Sequence, residues 1–278
     1  MTIDEIIDAA LKEDVGTGDH TSLSTIPATA KGKARLLIKE AGIICGIDVA
    51  IKVLTKVDPT LAINKILSDG DRVKPGDVAF TVEGSSISIL IAERLLLNFM
   101  QRMSGIATTT NFYINKLKGT GTRLLDTRKT TPLLRELEKY AVKIGGGENH
   151  RFGLYDMILI KDNHVDFCGG ITGAVKAVEG YLKSKNLNLD IEVEARTIDD
   201  VKEILGLKNV KRIMLDNFTP ATMKEAVKLI SGRMEIEASG GITIDNLREY
   251  AETGVDFISV GALTHHIKSL DMSLKAFS

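Results

Sequence analysis

Five side chains that carry or can carry positive charge, Arg128, Lys129, His150, Arg151 and Lys161, fall within one stretch of the chain. Arg128 and Lys129 come shortly after the apolar pair Leu124 and Leu125. His150 and Arg151 follow the run Gly145-Gly146-Gly147, and Lys161 ends the apolar run 157–160. Charges at the ends of apolar elements are groups that a fold can converge. Arg grips a carboxylate or phosphate through two parallel N–H bonds, and Lys acts as a compact point charge. Their convergence suits a ligand with several negative charges. Lys161 also admits a second chemistry, because a strand-end lysine can form a Schiff base with a carbonyl substrate.

Two carboxylates, Glu194 and Asp216, end separate apolar runs, and Glu192 lies two residues before Glu194 on the same strand face. Buried acids must be paired or bind something. These three are therefore either partners of nearby cations or part of a binding site. Ser239-Gly240-Gly241 and Val260-Gly261-Ala262 end the last two apolar runs. Glycines let backbone N–H groups approach an anion, and a following helix N-terminus would add its dipole. The plainer alternative is a pair of tight turns.

The elements that must position these groups change character near residue 120. From 120 to 264, strand-like runs at 123–125, 157–160, 189–194, 212–215, 235–238 and 257–260 alternate with helical segments. That rhythm implies βα units and a parallel sheet. Each run is followed at once by polar or glycine residues, the pattern of a β/α barrel whose C-terminal face holds the site. The expected fold is α/β, an open or incomplete β/α barrel of about six to seven strands, behind an N-terminal α+β domain. Thr131-Pro132 reads as the cap and first-turn proline of the helix that runs to Gly145.

Residues 1–119 form the expected first domain. Thr2 and Glu5 have the spacing of a capping box, and short strands at 34–38 and 43–45 flank a glycine turn. A helix over 86–103, followed by a second through Leu117, carries Arg94, Asn98, Gln101 and Arg102 along one side. That side is either a solvated edge or a functional one. The tail, 265–278, bears Ile267, Leu270, Met272, Leu274 and Phe277 and is expected to dock on the first domain.

Composition narrows the class. The net charge is −1 and 44% of residues are hydrophobic. No global basic field favours nucleic acid or an anionic membrane. Cys45 and Cys168 form no C-x-x-C pair, so a reduced compartment is expected. The N-terminus lacks signal-peptide character and no window approaches a membrane span, which points to the cytoplasm. Asp14, Asp19 and His20 read as a turn, and His265 and His266 point apart, so neither set reads as a metal site.

Several motifs, in order, resemble the quinolinate phosphoribosyltransferase family (nicotinate-nucleotide pyrophosphorylase, decarboxylating). They are EDVGTGDHTS, DTRKT, GGGENHR-x-GL-x-D, LIKDNH and VGALTH, and together they span nearly the whole chain. The resemblance implies an irregular, open α/β barrel. It also implies phosphoribosyl transfer from phosphoribosyl pyrophosphate to quinolinate with loss of CO2, giving nicotinate mononucleotide. Under it, Thr127, Arg128, Lys129, His150, Arg151 and Lys161 bind the quinolinate carboxylates and pyrophosphate. Glu194 and Asp216 serve the ribose and the Mg²⁺–pyrophosphate, with Mg²⁺ the expected cofactor. Ser239, Gly240, Gly241 and Gly261 hold the 5′-phosphate. Lys129, Lys161, Glu194 and Asp216 become the catalytic set. Arg94 reaches the pocket of a neighbouring subunit, which makes the active unit at least a dimer. The other readings are a phosphoribosyltransferase acting on a different base, a Schiff-base lyase using Lys161, and a non-catalytic regulator that binds a phosphate ligand.

Overall fold

The computed structural model describes residues 2–277. The chain opens with α1 (Ile3–Val15), closed by a reciprocal cap. Glu5 N–H donates to Thr2 Oγ1 at 3.2 Å, and Thr2 N–H donates to Glu5 Oε2 at 2.7 Å. In α2 (His20–Thr25) the Asp19 carboxylate is the N-cap. Then come β1 (Lys31–Ile38), β2 (Gly42–Ile43), α3 (Ile47–Val57), β3 (Ala62–Lys65), β4 (Arg72–Val73) and β5 (Val78–Ser85). The strand expected at 43–45 stops at Ile43. Beyond it the Asp69 carboxylate accepts the N–H groups of Gly46 and Ile47 at 3.0 and 2.9 Å and starts α3.

α4 (Ser86–Leu117) is one helix of 32 residues, where a break after Met103 was expected. Gly105 does not end it. A side chain there would run into the Lys268 carbonyl, so this glycine allows close packing.

The series continues with β6 (Arg123–Leu125), α5 (Arg135–Ile144), β7 (Ile158–Ile160), α6 (Asp162–Cys168) and α7 (Ile171–Lys185). It goes on through β8 (Ile191–Ala195), α8 (Ile198–Leu205), β9 (Arg212–Asp216), α9 (Pro220–Ile230) and β10 (Glu235–Ser239). It closes with α10 (Leu247–Ala251), β11 (Phe257–Ser259), α11 (Ala262–His265) and β12 (Met272–Phe277). α5 starts later than the Thr131-Pro132 pair suggested. Leu133 takes a left-handed φ of 68°, and Glu138, inside the helix, accepts the Thr131 N–H at 3.1 Å. The proline sits in a turn ahead of the helix. Thr197 and Thr219, by contrast, cap α8 and α9, with Pro220 in the first turn of α9.

The chain forms two compact units. The first comprises Met1–Phe112, Thr130–Gly146 and Leu263–Ser278, so it includes α5, which the sequence placed with the β/α series. Arg102 explains the placement: its Nε and Nη2 donate to Glu138 Oε1 at 2.8 and 2.7 Å, and Nη2 donates to Thr131 Oγ1 at 2.8 Å. The sheet of this unit has the order β12-β1-β5-β3, with β12 antiparallel to β1.

The second unit, Tyr113–Lys129 and Gly147–Ala262, holds a six-stranded sheet in the order β6-β11-β10-β9-β8-β7. All its pairings are parallel, and the first strand lies beside the last. A single bridge from Leu125 to Glu148 extends the edge at β6. This is a barrel-like α/β arrangement. Every residue of β8 is buried, and Ile213, Leu215, Ala238 and Ile258 are fully so. Strands covered on both faces are what parallel sheets require. Burying each large aliphatic side chain contributes roughly 1.5–3 kcal/mol.

Candidate active site

Parallel strands present their C-terminal ends on one side, and there the second unit collects its reactive groups. Lys161 follows β7, Glu194 lies at the end of β8, Asp216 ends β9 and Ser239 ends β10. Lys161 Nζ stands 4.0 Å from Glu194 Oε2, with the lysine half exposed and the glutamate nearly buried. Burial, and then the neighbouring Asp216 charge, push Glu194 above the usual carboxylate range. Asp216 is also raised, chiefly by burial. The Asn217 hydrogen bond and the charges of Lys161 and Lys129 pull it back. Glu194 thus feels the charges of Asp216 and Lys161, and Asp216 feels those of Lys161 and Lys129. Two carboxylates that repel each other beside two lysines form a pocket for a charged ligand, with oxygen donors that suit a hard cation.

The backbone fixes the other candidates. Thr127 accepts the Lys129 N–H at 3.0 Å, which curls the strand end beneath Arg128 and Lys129. Arg151 is half buried. Burial and the Arg128 charge hold it below the usual guanidinium range, and its Nη1 donates to the Met157 carbonyl at 3.2 Å. The Arg128 charge therefore reaches Arg151, which suits a ligand with more than one negative charge. Ser259 Oγ donates to Ser239 Oγ at 3.3 Å, and Gly240 and Gly241 take φ of 89° and 62°. Such values favour glycine. No helix starts directly after Gly241, since α10 begins only at Leu247, whereas α11 starts right after Gly261 but has only four residues. Anion binding there would rest on backbone N–H groups and the serine hydroxyls.

His150 stands apart from Arg128, Lys129, Arg151 and Lys161, with which the sequence grouped it. It is buried, with Nε2 3.2 Å from Glu192 Oε2 and 3.3 Å from Glu237 Oε2. Arg212 completes this layer, with Nη1 donating to Glu237 Oε2 at 3.2 Å. Asp126, also buried, accepts the His150 N–H at 2.9 Å and Asn149 Nδ2 at 2.6 Å. His150, Glu192 and Glu237 are the one His/acid group of three among the described residues spaced closely enough for a metal. Arg212 and the histidine already supply its counter-charge. Sequence reading assigned Glu237 and Arg212 no role beyond their strands, and Asp126 only a place in the polar strand end that opens DTRKT. The signal for Glu237 was its alternation with Ile236 and Ala238, which points it to the face shared by Glu192.

Arg94 is an exposed residue of α4 in the first unit. Arg102 is structural, bound to Glu138.

Comparison with known proteins agrees with this arrangement. Residues 19–104 match the quinolinate phosphoribosyl transferase N-terminal domain, and residues 106–275 match the C-terminal domain. A relative from Arabidopsis thaliana, a chloroplastic nicotinate-nucleotide pyrophosphorylase (carboxylating), is 47% identical over 97% of this chain and 81% of its own. A mitochondrial quinolinate phosphoribosyltransferase (decarboxylating) from Nicotiana tabacum is 46% identical over 98% of this chain and 81% of its own. The solved structure of the nicotinate-nucleotide pyrophosphorylase from Francisella tularensis superposes with a TM-score of 0.93 at 39% identity, covering 99% of this chain and 96% of that one. With its motifs, its fold and both domain matches in agreement, the chain belongs to the quinolinate phosphoribosyl transferase family.

Proposed function

We propose that this chain transfers the phosphoribosyl group of phosphoribosyl pyrophosphate to quinolinate and releases pyrophosphate and CO2, giving nicotinate mononucleotide for NAD synthesis. The observation that carries the reading is the gathering of Lys161, Glu194 and Asp216 at the C-terminal ends of adjacent parallel strands, with Lys161 Nζ 4.0 Å from Glu194 Oε2 and the Lys129 charge reaching Asp216. Quinolinate brings two adjacent carboxylates, which Arg128, Arg151 and Lys161 would hold. The Ser239-Gly240-Gly241 and Gly261 loops would hold the 5′-phosphate.

In the reaction the pyridine nitrogen attacks the ribose C1 as the C1–O bond to pyrophosphate breaks, and the bonding pair leaves with pyrophosphate. The nitrogen becomes a quaternary cation. The adjacent C–CO2 bond then breaks, its electron pair is stabilised beside that cation, and a proton from solvent replaces the carboxylate. Glu194 and Asp216 face the positive charge that develops on the ribose, and Lys129 and Lys161 face the negative charge on pyrophosphate. Most of the acceleration then comes from positioning and preset charge rather than proton transfer. Mg²⁺ would neutralise pyrophosphate as it leaves. Glu194 and Asp216 are the donors that fit it, completed by substrate oxygens, since their mutual repulsion is relieved by a cation.

The active unit is a homodimer or larger assembly in which Arg94 of one protomer serves its neighbour's pocket. A cytoplasmic setting accords with two free cysteines. No helix of the described residues is long and apolar enough to cross a membrane. The Schiff-base reading has less support: Lys161 is half exposed and faces a carboxylate, whereas such lysines are activated by desolvation.

The test supplies phosphoribosyl pyrophosphate, Mg²⁺ and either quinolinate or nicotinate. Mononucleotide from quinolinate supports the proposal. Turnover of nicotinate alone would replace the substrate. An adduct trapped on Lys161 by borohydride would replace the chemistry.

A further inference from the structure

We infer that Asn217 is a positioning residue for the transfer proposed above, a reading on which this inference rests: it holds the Asp216 carboxylate and ties it to the Ser239-Gly240 loop. Three contacts carry this. Asn217 Nδ2 donates to Asp216 Oδ2 at 2.6 Å. Its backbone N–H donates to the Ser239 carbonyl at 2.9 Å, one step past the last β9–β10 pair, Asp216 with Ser239. Its side chain and backbone also fill the space beside Gly240, where an added Cβ would lie 2.6 Å from Asn217 Cγ and 2.8 Å from its N.

The chemistry assigns the orientation. A carboxylate only accepts hydrogen bonds, so the amide nitrogen must face Asp216 and Oδ1 must face Gly240. The backbone is also selective. Asn217 has a φ of 56°, a left-handed value that Asn and Asp adopt more readily than other side chains. Strain of this kind persists where the surroundings enforce it, and it concentrates at functional sites. Glycine would satisfy the backbone as well as Asn does. What glycine lacks is the donor, which engages Asp216 Oδ2 and so fixes the direction of the Asp216 carboxylate.

The variant Asn217→Gly keeps the backbone and removes only the side chain, and Asn217→Asp keeps the shape but replaces the donor with a second negative charge. We expect Asn217→Gly to lose about tenfold in kcat, the size of one charge-assisted hydrogen bond. KM for quinolinate and the thermal midpoint should stay near wild type. Asn217→Asp should lose more. In an Asp216→Asn background, Asn217→Gly should cost nothing further, because it acts through Asp216. Wild-type kcat in Asn217→Gly, or losses that multiply in the double variant, would overturn the inference. If the wild type fails to join phosphoribosyl pyrophosphate to quinolinate, the functional reading fails separately. Crystal structures of wild type and Asn217→Gly then decide the positioning role. A displaced Asp216 carboxylate supports it, and an unmoved one overturns it.

Discussion

His150 Nε2 lies 3.2 Å from Glu192 Oε2, and both side chains are closed off from solvent. With Glu237 on β10 and Arg212 on β9, they form a charged layer one step beneath Glu194. Glu192 and Glu194 share a strand face, so the upper acid meets the pocket while the lower one meets histidine. Burial, and then Glu237, push Glu192 up to about 7. Burial alone would depress His150, but the two glutamates outweigh it and lift the ring to about 9. Arg151 N–H points at His150 Nδ1 at 2.7 Å and opposes a second ring proton, so the shared proton favours the carboxylate side.

Whichever atom carries it, that proton is held more tightly in the fold than in the open chain. The folded state therefore binds more protons than the unfolded state, and stability falls as pH rises from the open-chain values through about 7 and on toward about 9. Glu237 is shifted down by His150 and Arg212 against its burial, and acts oppositely only in the acid range. The unfolding free energy of wild type should decline across neutral to alkaline pH by an amount on the order of 2–3 kcal/mol, and its thermal midpoint should fall with it. His150→Asn should flatten that decline. A wild-type profile that rises over the same range would contradict the assignment.

Lys161 and Asp216 should separate activity from stability. Lys161 is half exposed and Asp216 sits at a strand end, so neither holds the core. Lys161→Ala and Asp216→Asn should each lower kcat/KM by roughly 10²-fold or more, the usual loss for one preset charge at a reacting centre. Unfolding midpoints in urea should stay close to wild type. Normal turnover in either variant would remove it from the catalytic set.

The two loop glycines should differ. Gly240→Ala meets Asn217 at 2.6 Å and a φ of 89°, whereas Gly241→Ala has open space and only its φ of 62° to resist it. Strain at such positions costs about 1–3 kcal/mol. Gly240→Ala should cost more in stability and raise KM for the phosphoribosyl donor, and Gly241→Ala should do less of both. Equal effects would show that backbone angle alone matters.

Arg102 and Glu138 make a separate prediction for the first unit. Glu138 is only 1% exposed and meets Arg102 at 2.7 Å. Arg102→Ala would strand a buried carboxylate, at a cost of about 3–5 kcal/mol. Arg102→Lys should recover only part of it, because a single ammonium cannot bond Glu138, Thr131 and the Thr264 carbonyl together. Denaturant titration of both variants reads this directly.

The β/α series was legible because each parallel strand is a short apolar run whose polar terminus follows at once. Lys161, Glu194, Asp216 and Ser239 could therefore be placed on one face from spacing alone. The sites that escaped depend on distant partners. Thr131-Pro132 has the local chemistry of a helix start, but Glu138 and Arg102 pull it into a turn. The helix was expected to end at Met103, yet α4 runs on through Gly105, which serves the approach of Lys268. His150 looked like one more cation because nothing nearby in sequence reports that Glu192 and Glu237, from two other strands, enclose it. Tertiary pairing decided these cases over local propensity.

The most direct test uses quinolinate labelled in the carboxylate next to the ring nitrogen, with phosphoribosyl pyrophosphate and Mg²⁺. We expect labelled CO2 and nicotinate mononucleotide in equal amounts, neither forming when the donor is omitted. Mononucleotide without CO2, or CO2 without donor, would contradict the coupling of transfer to decarboxylation at this site.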